Sequence, residues 1–295
     1  MSLPAGIRVG HAHCAEAKTG VTVIWPTAPV VMGVDVRGGG PGTRETDALK
    51  PDTLVERVHA LVLAGGSVFG LAAADAVALE LARRGEGLDL GHGLFVPVVP
   101  AAILFDLHNG GDKAFAQRGG PPPPYAALGL AALADAQSTP LAAAVGAGFG
   151  AMAGSRPGGV GIASAALTGG GMVAALIIVN SFGEVLAGEP PVDGPVPMPK
   201  RAHLGQAIGA ASTCIGAIMT DLPLTRPAAQ RLAMMAHDGL ARAIRPIHTP
   251  FDGDTLFAMS TAAELPARVD PVLLAELGTR AADCVVRAVR ASVAR

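Results

Sequence analysis

Two short stretches of this sequence hold side chains whose types and spacing could do chemistry. Ser212–Thr213 sets two hydroxyls at the mouth of an apolar run, Cys214 to Met219, directly after a long polar and proline-rich stretch. A threonine there either simply begins a strand or becomes the first residue of a new chain once the bond before it is cut. In the second case its freed α-amine, with a pKa of about 8, suits general-base work on its own hydroxyl better than a lysine at about 10.4. Asp252-Gly253-Asp254 sets two carboxylates at i and i+2, at the opening of a strand, where they share a face. They stand far from any basic run. In a turn they would be two solvated acids; as a pair near a site, their repulsion would tune protonation or orient a nucleophile.

Other candidates are weaker. Gly146 to Ala151 matches GxGxxA, but Gly154 and Pro157 prevent the helix that dinucleotide binding needs. No Asp or Glu follows between Arg156 and Asn180 to hold a ribose, so these glycines are expected in turns and close packing. Gly66 to Gly70 has GSxxG spacing rather than the GxSxG of a nucleophile elbow, and Ser67 is expected to cap a helix. His11, His13 and Cys14 cluster without a third ligand at a suggestive spacing. No metal and no cofactor are expected.

Elements must position these groups. Short strands are expected at Gly6–His11, Thr19–Trp25 and Pro29–Val36, then a turn-rich stretch from Arg37 to Asp47. A helix is expected over Asp52–Val58, a strand over Ala60–Gly66, and a helix from Ser67 to Arg84 with its basic pair in the last turn. Leu94–Val99 predicts a strand and Tyr125–Ala136 an alanine-rich helix. A buried strand ends at Asn180, Gly183–Gly205 forms a loop or linker, and a strand begins at Ser212. An amphipathic helix starts near Arg226, a strand runs from Asp254, and a helix ends the chain. Strands and helices mix without strict βαβ alternation, which favours an α+β layered sandwich over a Rossmann fold.

Composition excludes several classes. The 295 residues carry 22 basic and 24 acidic side chains, no footprint for a phosphate backbone. One Trp and one Tyr leave no stacking platform for single-stranded nucleic acid. Mean hydropathy is +0.44, yet the apolar run Met172–Val179 is far shorter than the ~20 residues of a membrane span. The N-terminus lacks the basic start and apolar stretch of a signal peptide, and three cysteines without CxxC spacing fit a reducing cytoplasm. With 50% hydrophobic but only 3% aromatic residues, and 39 glycines, the core must pack through close backbone approach.

From about Gly6 to Ala263 the sequence resembles the self-processing aminopeptidases that include the L-aminopeptidase/D-esterase (DmpA-like) enzymes and nylon-oligomer hydrolases. The resemblance rests on GIRVGH with TGVTVIW, RGGGPGTRETD, VHALVLAGGSVFGLAAADAV, VPAAILFDL, GAGFGAMAG with GGVGIAS, VNSFG, STCIGAIMTDLPL and DGDTLFAMST, in that order. It implies one α+β domain over 1–295, a four-layer αββα sandwich resembling the N-terminal-nucleophile hydrolases. It also implies self-cleavage between Ser212 and Thr213, giving a large chain 1–212 and a small chain 213–295. Thr213 would then attack an amide and form an acyl-enzyme. Asn180 matches the residue that helps hold the oxyanion, and Asp252 and Asp254 match the acidic or polar pair that orients the nucleophile and handles its proton.

The sequence departs from the family at three places. Ser212 stands where members carry Asn or Gly, and Ser155 where the nylon-hydrolase-like members have Lys. Phe105 stands where some have an active-site Tyr; Tyr125 is the only tyrosine. Phe105, Ser155 and Tyr125 are the candidates for the substrate or oxyanion pocket. The activity implied is an aminopeptidase or ω-amino-amide hydrolase acting on small peptides or amides, with no nucleic-acid or membrane partner, assembled as a homotetramer or larger. The alternatives are an acyltransferase with the same acyl-threonine step and an uncleaved binder.

Overall fold

A computed structural model of the chain describes residues 2–188, 196 and 212–293. Most of the expected Gly183–Gly205 linker, its residues 189–195 and 197–205, lies outside these. Ten strands form two five-stranded sheets: β1 (Ile7–Cys14), β2 (Thr19–Pro26), β3 (Val31–Val36), β4 (Thr43–Arg44), β5 (Leu61–Ala64), β6 (Ala101–Ile103), β7 (Gly159–Ala166), β8 (Met172–Val179), β9 (Ile215–Thr220) and β10 (Thr255–Ser260). Four α-helices cover them: α1 (Ala72–Arg83), α2 (Tyr125–Asp135), α3 (Arg226–Ala243) and α4 (Pro271–Val293).

The first sheet has the order β1-β2-β5-β6-β4 and the second β7-β8-β9-β10-β3. Each is antiparallel except for one internal parallel pair, β5 with β6 and β9 with β10. Side-chain alternation decides the layers, because successive residues of a strand face opposite sides. On β5, Leu61 and Leu63 point inward while Val62 and Ala64 point to α1 and α2. On β8, Ala174, Leu176 and Ile178 meet the first sheet, and Val173, Ala175 and Ile177 meet α3 and α4. Both faces of the central strands are therefore buried, and the result is an α/β/β/α stack.

Small residues make that stack possible. A Cβ on Gly161 of β7 would lie 1.8 Å from the Ala288 carbonyl oxygen of α4, so sheet and helix touch backbone to backbone. The one tryptophan, Trp25, sits near the end of β2. The Arg8 guanidinium lies 3.5 Å from its ring centre, and its indole N–H donates to Glu86 Oε2 at 3.1 Å.

Three expected elements differ. Asp52–Val58 is not helical; Val58 is extended and exchanges two hydrogen bonds with Val30, and so short a segment has little helical cooperativity to oppose that pairing. Leu94–Val99 gives only Phe95–Val96, in a small hairpin with Leu88–Asp89. Pro97 and Pro100 lack the amides a ladder needs, and the sheet strand starts just after them, at Ala101. Ser67 caps nothing: its φ is +53° and its amide donates to the Leu104 carbonyl at 3.0 Å, so a 3₁₀ turn intervenes and α1 begins at Ala72.

Candidate functional site

Two ladder registers bring the candidate residues together. Parallel pairing matches Ile215 of β9 to Thr255 of β10, and the isolated bridge Ser212–Asp252 continues the same offset upstream. Antiparallel pairing matches Ile215 to Ile178 of β8, and continuing it two residues sets Thr213 opposite Asn180. The Thr213 amide donates to the Asn180 carbonyl at 2.7 Å, and the Gly253 amide donates to the Ser212 carbonyl at 3.0 Å. The Ser212–Thr213 peptide is thus held at both its N–H and its C=O. All five of Ser212, Thr213, Asn180, Asp252 and Asp254 are at most 2% exposed. Gly253 has no side chain for a reason: a Cβ there would stand 2.9 Å from the Thr213 hydroxyl oxygen and 2.4 Å from the Gly40 carbonyl.

The two carboxylates are buried, so the solvated-turn alternative does not hold. Asp252 accepts from the Thr249 amide at 2.8 Å, the Thr249 hydroxyl at 2.6 Å and the Phe182 amide at 3.3 Å. Burial, reinforced by the charge of Asp254, lifts its pKa to about 6, against these hydrogen bonds. Asp254 accepts from the Cys214 amide at 2.7 Å and lies 2.7 Å from His248 Nδ1. The Cys214 thiol is pushed well up by its burial and by both aspartates, so it remains a neutral thiol beside Thr213 rather than a rival nucleophile. Behind them the His237 ring packs at 5.0 Å against that of His248, and burial lowers its pKa to about 4.

Asn180 has a fixed amide orientation. Its Oδ1 accepts from the Met152 amide at 3.0 Å and from Asn109 Nδ2 at 3.1 Å, while its Nδ2 donates to the Phe105 carbonyl at 3.0 Å. Backbone N–H and C=O groups have only one role each, so the nitrogen of Asn180 is assigned by chemistry, with one of its two hydrogens uncommitted among the described residues.

The three pocket candidates part company. Phe105 touches this network through its carbonyl, and its ring packs 5.2 Å from His108. Tyr125 is fully buried one layer back, its hydroxyl 3.2 Å from that of Thr19, which donates to Asp106 at 2.6 Å. Ser155 is exposed and its amide donates to Glu184. Sequence reasoning missed Asn109, Thr249 and His248. Thr249, three residues before Asp252, carries a local turn signal; Asn109-Gly110 has the chemistry of a turn, which hid its part here.

A family model for Peptidase family S58 matches residues 5–295. An uncharacterised aminopeptidase of Mycobacterium tuberculosis is 43% identical, over 98% of this chain and 91% of its own length. A 6-aminohexanoate-oligomer endohydrolase of Kocuria sp. is 30% identical, over 87% of this chain and 73% of its own. Among solved structures, a Burkholderia β-aminopeptidase superposes with TM-score 0.74 at 24% identity, covering 98% of this chain and 84% of that one. An L-aminopeptidase D-Ala-esterase/amidase from Ochrobactrum anthropi, described as a variant of the Ntn-hydrolase fold, gives 0.73 at 23%, covering 97% and 83%. Both agree with the layered architecture.

Proposed function

From the premise that the chain belongs to peptidase family S58, as an aminopeptidase-like hydrolase with the Ntn-hydrolase fold, we propose that it is activated by cutting its own Ser212–Thr213 bond. It then hydrolyses small peptides and amides, ω-amino amides included, through an acyl-enzyme on Thr213. The observation that carries this reading is the grip on the Ser212–Thr213 peptide: carbonyl on the Gly253 amide, N–H on the Asn180 carbonyl, hydroxyl over a residue with no side chain.

In the maturation step the Thr213 hydroxyl oxygen bonds to the Ser212 carbonyl carbon. The Gly253 amide polarises that carbonyl, and a pKa of about 6 lets Asp252 take the hydroxyl proton near neutral pH. The C–N bond then breaks, its nitrogen taking up a proton to become the Thr213 α-amine, and water hydrolyses the ester, leaving a Ser212 carboxylate. In turnover the free amine takes the proton of its own hydroxyl as that oxygen attacks the substrate carbonyl. The free Asn180 N–H stabilises the oxyanion, the leaving amine takes the proton, and water releases the acyl group. The proposal includes a single domain over 1–295 acting as a homotetramer or larger assembly in the cytoplasm. No helix of the described residues is long and apolar enough to cross a membrane.

Intact mass is the direct test. Cleavage should replace the 29.4 kDa species by two, of about 21 and about 8 kDa if mass divides with residue number. An aminoacyl p-nitroanilide should be hydrolysed by the cleaved protein. A single uncleaved species after long incubation would refute the scheme, and preferential transfer to an added amine would make the enzyme an acyltransferase.

A further inference from the structure

The three hydrogen bonds on the Asn180 side chain raise the question of what keeps that carboxamide from turning over. A half-turn about its last bond would set an NH2 against the Met152 amide and Asn109 Nδ2, and an oxygen against the Phe105 carbonyl. We infer that Asn109 is a positioning residue, whose side chain locks the Asn180 carboxamide with its free N–H toward the Thr213 hydroxyl. The inference rests on the Thr213 reading above. Asn109 is itself locked, because the same Nδ2 donates to the Gly150 carbonyl at 3.0 Å, which can only accept. Both its hydrogens are therefore spent, one on Gly150 and one on Asn180.

The loop that carries Asn109 is tethered from behind. The Asn109 amide donates to the Asp106 carbonyl at 3.0 Å. The Asp106 carboxylate accepts from the Gly66 amide at 2.8 Å and the Thr19 hydroxyl at 2.6 Å, with the Lys113 ammonium 3.8 Å away. Residues 105 to 109 thus supply both a carbonyl and an amide to Asn180, and their base is pinned to β2 and to the residues after β5. None of these contacts reaches the Ser212 carbonyl, which the Gly253 amide serves. Asn109 should therefore act on substrate turnover and leave maturation alone.

The test compares Asn109→Ala, Asn109→Asp and Thr213→Ala in the full chain, reading the cleaved fraction by intact mass and kcat and KM on an aminoacyl p-nitroanilide over a range of pH. Both Asn109 variants should mature fully, with KM little changed. Asn109→Ala should lower kcat about tenfold, and Asn109→Asp should approach the roughly hundredfold to thousandfold cost of losing an oxyanion donor. The larger loss follows because a carboxylate only accepts and so draws the Asn180 NH2 to itself. As pH falls and the introduced carboxyl is protonated it regains a donor, so the activity of Asn109→Asp relative to Asn109→Ala should rise. Equal losses in the two variants at every pH would mean a merely structural role and overturn the inference, as would a variant that stays uncleaved. Parental turnover by Asn109→Asp, with Thr213→Ala inert, overturns this inference alone. Turnover by Thr213→Ala overturns the Thr213 reading and this inference with it.

Discussion

Each sheet contains one parallel strand pair, and each pair carries buried carboxylate at one end, but the two ends solve the burial differently. After β6, Asp106 is wholly buried, yet its oxygens are filled by Gly66 and Thr19 and a lysine stands beside it. Burial is the main force raising its pKa and Lys113 the main force opposing it. Before β10, Asp252 and Asp254 are as deeply buried but repel each other, and the group 2.7 Å from the Asp254 carboxylate is the His248 ring. A carboxylate with its own cation is scaffolding. Two carboxylates that crowd one another keep one proton near exchange at working pH, which is what a site needs.

The sharpest way to break that contrast is to remove the hydroxyl that the crowded pair is proposed to serve. Thr213→Ala should leave a single 29.4 kDa chain and lower turnover by about 10⁶-fold, checked by mass and p-nitroanilide assay. Asn180→Ala should cost roughly 10²–10³-fold in kcat yet still mature, because a different donor holds the Ser212 carbonyl; a gel of the cleaved fraction against time decides it. At the scaffolding end, Lys113→Met leaves Asp106 without its cation and should cost on the order of 3 kcal/mol in urea unfolding, while the pH at which maturation is half-maximal stays put. The smallest effect concerns pH itself. Maturation precedes any free α-amine, so its rate should rise as Asp252 loses its proton through about pH 6 and then level off. Turnover, which also needs the amine neutral, should keep rising toward the amine pKa of about 8. Coincident profiles for the two processes would dissolve the distinction between the acids and the amine.

The chain shows what a sequence discloses readily. Long apolar runs such as Met172–Val179 and the amphipathic pattern that starts α3 near Arg226 are local signals and were legible. Asp52–Val58 and the displaced strand at Ala101–Ile103 were not, because long-range pairing and proline placement outweighed local pattern. Thr213, Asp252 and Asp254 stood out by type, but their adjacency comes from a parallel register between segments 40 residues apart in the sequence. Asn109 and Asp106 were hidden in a turn-like stretch, since their roles depend on partners that only the folded loop supplies.

Trp25 and Tyr125 have a consequence for anyone who follows this protein by light. The only tryptophan lies on β2 beneath an arginine, and the only tyrosine begins α2, so both intrinsic chromophores belong to the first sheet and its helices. Strands β8 to β10 with α3 and α4, which surround Thr213, contain neither. Intrinsic fluorescence should therefore report melting of one half of the sandwich while the half around Thr213 stays optically dark. A probe placed on α3 or α4 would be needed to see it open.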